Sequence, residues 1–241
     1  MPAKPGPLRP HEKRQKYQRA QPLPDLPGQP AFGDSFLIVT EGKVTEKLYF
    51  ELLRKKLELK AATVQVVHSG YTDAFGLLNS AIDIRDQESR RRSGRKIGNR
   101  EVGGFDHVWV VFDTDVPHRE GQLSSMLQLA RSHGINVAFS TPSVELWLLL
   151  HFRDRPGYLD SRAAENALEE AWGQKYDKDE ETFKRLWLEL CPQIAAAVNR
   201  AGQIRQYHEA SGAPFPANPS TNADLLVLAM NAAVQPRLRI I

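Results

Sequence analysis

Short apolar runs and amphipathic stretches alternate along much of the chain. Phe36–Thr40 (FLIVT) is apolar and partly β-branched, the pattern of a buried strand. Glu41 and Gly42 break it. From Val44 to Leu57 the period changes: Val44, Leu48 and Leu52 lie four apart with Tyr49, Leu53 and Leu57 beside them, which predicts a helix. The alternation then repeats. Thr63–His68 predicts a strand, Thr72–Arg91 a helix, and the Gly-rich, charged stretch Ser93–Gly104 a loop. Val108–Phe112 is the most strand-like run and leads straight into Asp113. Gly121–Ser132 predicts a helix, Val137–Ser140 a strand and Val144–Phe152 an apolar helix. Strands alternating with helices predict an α/β fold, a parallel sheet with helices on both faces.

Beyond Arg153 the strand pattern stops. Ala163–Trp172, Glu180–Glu189, Ile194–Tyr207 and Ala223–Val234 predict a C-terminal helical extension, with Ser211–Asn222 as a Pro/Asn/Ser loop. At the other end, Met1–Gly33 is rich in Pro, Lys, Arg and Gln and has little to bury, so it predicts a disordered basic arm. The expected organisation is an arm (1–33), an α/β core (34–152) and a helical extension (153–241).

Charge sharpens this picture. The 241 residues carry 32 Lys and Arg against 29 Asp and Glu, a formal excess of +3, but the positive charge is clustered. Lys4, Arg9, Lys13, Arg14, Lys16 and Arg19 lie in the arm, and Arg85, Arg90, Arg91, Arg92, Arg95 and Lys96 form a second group. Such clusters suit a nucleic-acid backbone, or a solvated flexible face. The single cysteine, Cys191, excludes an internal disulfide and fits a reducing cytoplasm. No apolar run reaches the ~20 residues that span a bilayer, and the N-terminal segment lacks the apolar core of a secretory signal.

The candidate chemistry is acidic. Phosphate-loop, dinucleotide-binding, nucleophile-elbow and zinc-protease motifs are absent. Glu41 follows the first strand, and Asp113 and Asp115 follow the central one. In a parallel sheet these positions share the carboxyl edge, where ligands bind. If the chain stays extended, Asp113 and Asp115 also share a face. Clustered carboxylates suit Mg²⁺ or Mn²⁺, although Asp after a strand also serves turns and helix caps. Glu46, in a first helical turn, is explained as well by the helix dipole. Glu145 lies inside the apolar run Val144–Leu150, so it sits on an exposed stripe or is buried for a purpose. His151 reads as a helix C-terminal cation or a satisfied polar contact, and Trp109 and Trp147 as core residues.

These residues also resemble a known family. Thr40-Glu41-Gly42-Lys43-Val44-Thr45-Glu46 with Tyr49-Phe50, then Phe112-Asp113-Thr114-Asp115, then Ser140 to Phe152 (STPSVELWLLLHF) resemble successive blocks of the RloB-like family. Tyr176-Asp177-Lys178 and Asn218-Pro219-Ser220-Thr221-Asn222 resemble two later ones. Thr141 and Val144 depart from the pattern, which has Asn and Phe there. The resemblance implies a Toprim-like core in which Glu41, Asp113 and Asp115 are catalytic and hold a divalent metal; Glu145, which again follows a strand end, could join them on the same edge. It also implies a role in bacterial abortive infection beside an ATPase of the ABC/AAA type.

The leading expectation is a metal-dependent nuclease acting on RNA such as tRNA, or on DNA. Glu41, Asp113, Asp115 and Glu145 would hold Mg²⁺ or Mn²⁺. Lys43, Arg90, Arg91, Arg92, Arg95 and Lys96 would hold the nucleic acid. The alternative is a non-catalytic Toprim-like module that binds nucleic acid or docks on the ATPase. A nucleotide-binding regulatory domain ranks last.

Overall fold

The computed structural model describes residues 33–60, 64–71, 73–92, 96–97, 100–101, 104–119, 121–154 and 157–241. The basic arm lies outside the described residues, except for Gly33.

Four apolar runs form the parallel part of a sheet: β1 (Phe36–Thr40), β2 (Val64–His68), β5 (His107–Asp113) and β6 (Asn136–Thr141). The strand order is β2-β1-β5-β6-β7. The last member, β7 (Ser220–Thr221), pairs antiparallel with β6, so the sheet is mixed rather than purely parallel. Two further short strands, β3 (Lys96–Ile97) and β4 (Arg100–Glu101), pair antiparallel with each other in the stretch expected to be a loop.

Successive side chains of a strand face opposite ways, and the sheet separates two cores accordingly. Phe36, Ile38, Trp109 and Val111 face one cluster, and Leu37, Val39, Val110 and Phe112 face the other. Helix α1 (Thr45–Lys56) packs on the first face through Tyr49, Phe50 and Leu53. Helices α2 (Ala74–Arg92) and α4 (Leu123–Ser132) cover the second through Leu77, Leu78, Met126 and Ala130. A short α3 (Asp115–Arg119) lies between β5 and α4.

Helices α5 (Val144–Leu149), α6 (Ser161–Trp172), α7 (Glu180–Leu190), α8 (Ile194–Ser211) and α9 (Ala223–Ala232) follow. Leu168, Leu186, Ala197, Ile204 and Leu226 of α6–α9 belong to the same apolar cluster as Phe36 and Trp109. The helical extension therefore shares a core with the sheet. It reaches into the sheet itself through β7, inside the Ser211–Asn222 segment expected to be a loop. Asn222 continues that pairing with its side chain. Its Oδ1 accepts from the Phe139 amide at 2.6 Å, and its Nδ2 donates to the Val137 carbonyl at 2.8 Å.

Candidate metal and nucleic-acid site

Chain direction places the acids. The connection after β1 passes over the first face through α1, and the one after β2 crosses the second face through α2 to reach β5 on the other side of β1. Beyond the carboxyl ends of β1 and β5 the connections diverge, which leaves a crevice of the kind where α/β sheets bind ligands. Glu41 follows β1 there and Asp113 ends β5. Asp115 is the first residue of α3, so it does not continue the strand as an extended Asp-x-Asp would.

Glu41 Oε2 accepts from the Asp113 amide at 3.2 Å, joining the two strand ends. Burial holds the Glu41 carboxyl above its ordinary range, with Asp115 and Asp73 adding to the rise and the Asp113 amide opposing it. Asp113 is pushed well up by burial first, then by Glu46, Glu145, Glu41 and Asp115. The sequence-predicted acids thus lie near enough to act on one another electrostatically, and a fifth carboxylate joins them.

That fifth group is Glu46, which the sequence placed no more firmly than as a dipole partner. It is buried in the first turn of α1, and its Oε1 accepts from the Gly42 amide at 3.0 Å. A Cβ on Gly42 would lie 1.7 Å from Glu46 Oε2, so the approach requires glycine. Burial raises the Glu46 carboxyl to about 7, and Glu145 and Glu41 contribute.

Glu145 is only 3 % exposed, at the start of α5. Ser143 Oγ donates to its Oε2 at 2.6 Å, and Lys178 Nζ lies 2.9 Å from its Oε1. Lys178 also bonds Glu165 of α6 at 2.8 Å. Burial disfavours the Lys178 ammonium, but Glu145 and Glu165 outweigh it and raise its pKa. Asp115 Oδ2 accepts from Ser161 Oγ at 2.8 Å. Asp113, Asp115, Ser143, Glu145, Glu165 and Lys178, with Ser161, Arg162 and Asn166 of α6, line a cavity of about 500 Å³. No group of three His, Cys, Asp or Glu side chains among the described residues stands in coordinating geometry. Glu41, Asp115 and Glu145 are each turned to a protein donor. The donor set is nonetheless all oxygen, largely carboxylate, and fits a hard divalent cation rather than a thiophilic one.

The expected nucleic-acid residues divide. Lys43 is exposed, two residues beyond Glu41 on the acidic edge. Arg90, Arg91 and Arg92 end α2, which runs back across the sheet. There Ser89 Oγ lies 2.4 Å from where a Cβ on Gly104 would stand, just before β5 begins. They occupy the amino edge, away from the carboxylates, and Arg91 pairs with Glu88 at 2.9 Å. Arg95 lies outside the described residues, and Lys96 opens β3.

Of the two roles open to His151, the structure gives a satisfied polar contact. The ring is buried, Nδ1 bonds the Trp147 carbonyl at 3.0 Å and Nε2 the Tyr49 hydroxyl at 3.1 Å. Burial lowers its pKa to about 4, so it is neutral near pH 7. Trp109 and Trp147 lie in the core. No described helix is long and apolar enough to cross a membrane.

Among curated proteins and among solved structures, nothing matches the chain. A family model described as RloB-like protein matches residues 36–230. That span takes in every carboxylate of the cavity together with Lys178 and the β7 segment, and the chain belongs to the RloB-like family.

Proposed function

We propose that this chain is a Toprim-like, metal-dependent nuclease effector of bacterial anti-phage defence, of the abortive-infection kind. It would cleave a phosphodiester of RNA such as tRNA, or of DNA. The carrying observation is that Glu41 and Asp113 are joined at the carboxyl ends of β1 and β5, and that Asp113, Asp115 and Glu145 line one cavity there. Membership of the RloB-like family suggests a phage-defence-related protein and supports the same reading.

Glu41, Asp113, Asp115 and Glu145 would hold Mg²⁺ or Mn²⁺. When bound, such an ion activates water and offsets the charge that builds on a phosphoryl group. The chain's own groups do the rest. Ser143 fixes the Glu145 carboxyl, and the Asp113 amide fixes Glu41. The acids around Asp113 repel one another without a cation, and relief of that repulsion favours its uptake. Lys43 offers positive charge to a nucleic-acid backbone on the same edge. The partners of this reading are nucleic acid and an ABC/AAA-type ATPase, in the cytoplasm.

One observation favours a second reading, a non-catalytic module that binds nucleic acid or docks on the ATPase. Glu145 already has a counter-ion in Lys178, and Asp115 already accepts from Ser161. Cleavage of mixed tRNA and DNA separates the two. Wild type with Mg²⁺ or Mn²⁺, with and without the ATPase, should cut at least one of them. EDTA, Glu41→Gln and Asp113→Asn should each abolish cutting. Intact substrates in every arm would leave the non-catalytic module as the better account.

A further inference from the structure

Lys178 occupies an unusual place for a lysine. It lies between α6 and α7 with φ at 53°, a left-handed backbone that side-chain-bearing residues rarely adopt. The turn around it is clamped on both sides. Tyr176 hydroxyl bonds Thr45 Oγ1 of α1, and the Tyr176 amide donates to Glu169 at 2.8 Å. Asp179 caps α7 through the Thr182 amide at 2.8 Å. These contacts hold the Lys178 backbone over the cavity while its side chain stays about half exposed. Its Nζ spans a buried carboxylate, Glu145, and a more exposed one, Glu165, at 2.9 and 2.8 Å. Arg162 lines the same cavity.

A buried carboxylate keeps its charge only with a partner, and Glu145 has one that can leave. The ammonium sits on a flexible stem, is partly solvated, and has Glu165 and the cavity to move toward. We propose that Lys178 is an exchangeable counter-ion: it neutralises Glu145 until a divalent cation takes that carboxylate, and then turns into the cavity beside Arg162 to bind a phosphate of the nucleic acid. This rests on the reading of the carboxylates as a metal site. Lys178 then couples metal loading to substrate binding, because the phosphate can claim it only after the metal has displaced it.

The test is calorimetric titration of Mn²⁺ into the full chain as wild type, Lys178→Met, Lys178→Gln and Arg162→Met, with binding of a short phosphorothioate single-stranded DNA measured in Mn²⁺. Two ligands competing for one group are linked by a coupling free energy, so Lys178→Met should bind Mn²⁺ at least about fivefold tighter. It should also bind the DNA more weakly than wild type. Lys178→Gln keeps a hydrogen-bond donor for Glu145 should the Met variant fail to fold, and it should change both quantities in the same directions. Arg162→Met removes the same charge from the same cavity without touching the Glu145 ion pair, so it should tighten Mn²⁺ binding less. Lys178 variants that bind Mn²⁺ no tighter than wild type or Arg162→Met, or that bind the DNA as wild type does, overturn the proposal. A wild type that takes up no Mn²⁺ overturns the metal site itself, and the proposal with it.

Discussion

At the scale of single residues, the site concentrates negative charge where water is scarce, and Glu46 shows the consequence. Its carboxyl moves from an ordinary 4.5 to about 7 on folding. The folded chain therefore holds this proton more tightly than the unfolded chain. The stability it contributes is complete below 4.5 and is lost as pH rises through 7, by about 3 kcal/mol in all. Glu46→Gln keeps an acceptor for the Gly42 amide and cannot ionise. Urea melts without metal should show the variant gaining on wild type as pH rises from 4.5 to 8; a pH-independent difference would refute the burial argument. Buried His151 has the opposite sign, with stability rising between its lowered pKa of about 4 and the ordinary 6.5. Comparing the two proteins cancels that contribution. Gly42 belongs to the same argument. Gly42→Ala drives a Cβ into the Glu46 carboxyl and should destabilise the fold by ~1–3 kcal/mol. In a Glu46→Ala background most of that cost should vanish, and a double-mutant cycle measures the difference.

Elements differ in how far the sequence could reveal them. β1 and β5 are apolar runs ended by charge, and both are legible because the buried centre of a sheet tolerates little else. Glu41 and Asp113 were legible for the same reason, as strand-end positions. Asp115 was found as a residue but not as a helix start, since a five-residue helix leaves no periodicity to read. β7 was missed because two residues carry no alternation. Its pairing is defined by β6, far away in sequence, and by the side chain of Asn222. Lys178 stood in a family block, but its role did not show, because its partners come from α5 and α6 and its left-handed backbone is set by clamps on both sides. The two later family blocks differ in place: Lys178 of one lines the cavity, and Asn218 to Asn222 of the other tie the helical extension to the sheet. Asn218 bonds both the amide and carbonyl of Leu159, just before α6 begins. Arg205 of α8 forks onto buried Asp224 of α9, with its two nitrogens 2.5 and 2.6 Å from the carboxylate oxygens. Removing one member leaves the other charge uncompensated, so Asp224→Ala should cost about 3 kcal/mol in chemical denaturation. A loss below ~1 kcal/mol would mean that solvent already screens the pair.

On the scale of the whole molecule, the carboxylate cluster and the α2 arginines Arg90 and Arg91 lie at opposite ends of the strands. The carboxylates sit beyond the ends of β1 and β5, while Arg90 and Arg91 stand where β5 begins. Substituting both arginines with Ala should leave the cleavage rate at saturating substrate unchanged. Any effect should appear in binding, as a shallower dependence on salt. Lys43→Ala, on the acidic edge, should affect turnover as well. Equal turnover losses from both changes would contradict this division. The proposed activity depends most on whether the carboxylate cluster binds a divalent ion. The direct measurement is the melting temperature of wild type and Asp113→Asn with and without Mn²⁺. Binding to the folded state alone stabilises by mass action, so wild type should melt higher with Mn²⁺. Asp113→Asn should lose most of that gain, yet melt no lower than wild type without metal, because burial and four neighbouring acids already make the Asp113 charge costly. The same Mn²⁺ response in both proteins would contradict the metal site.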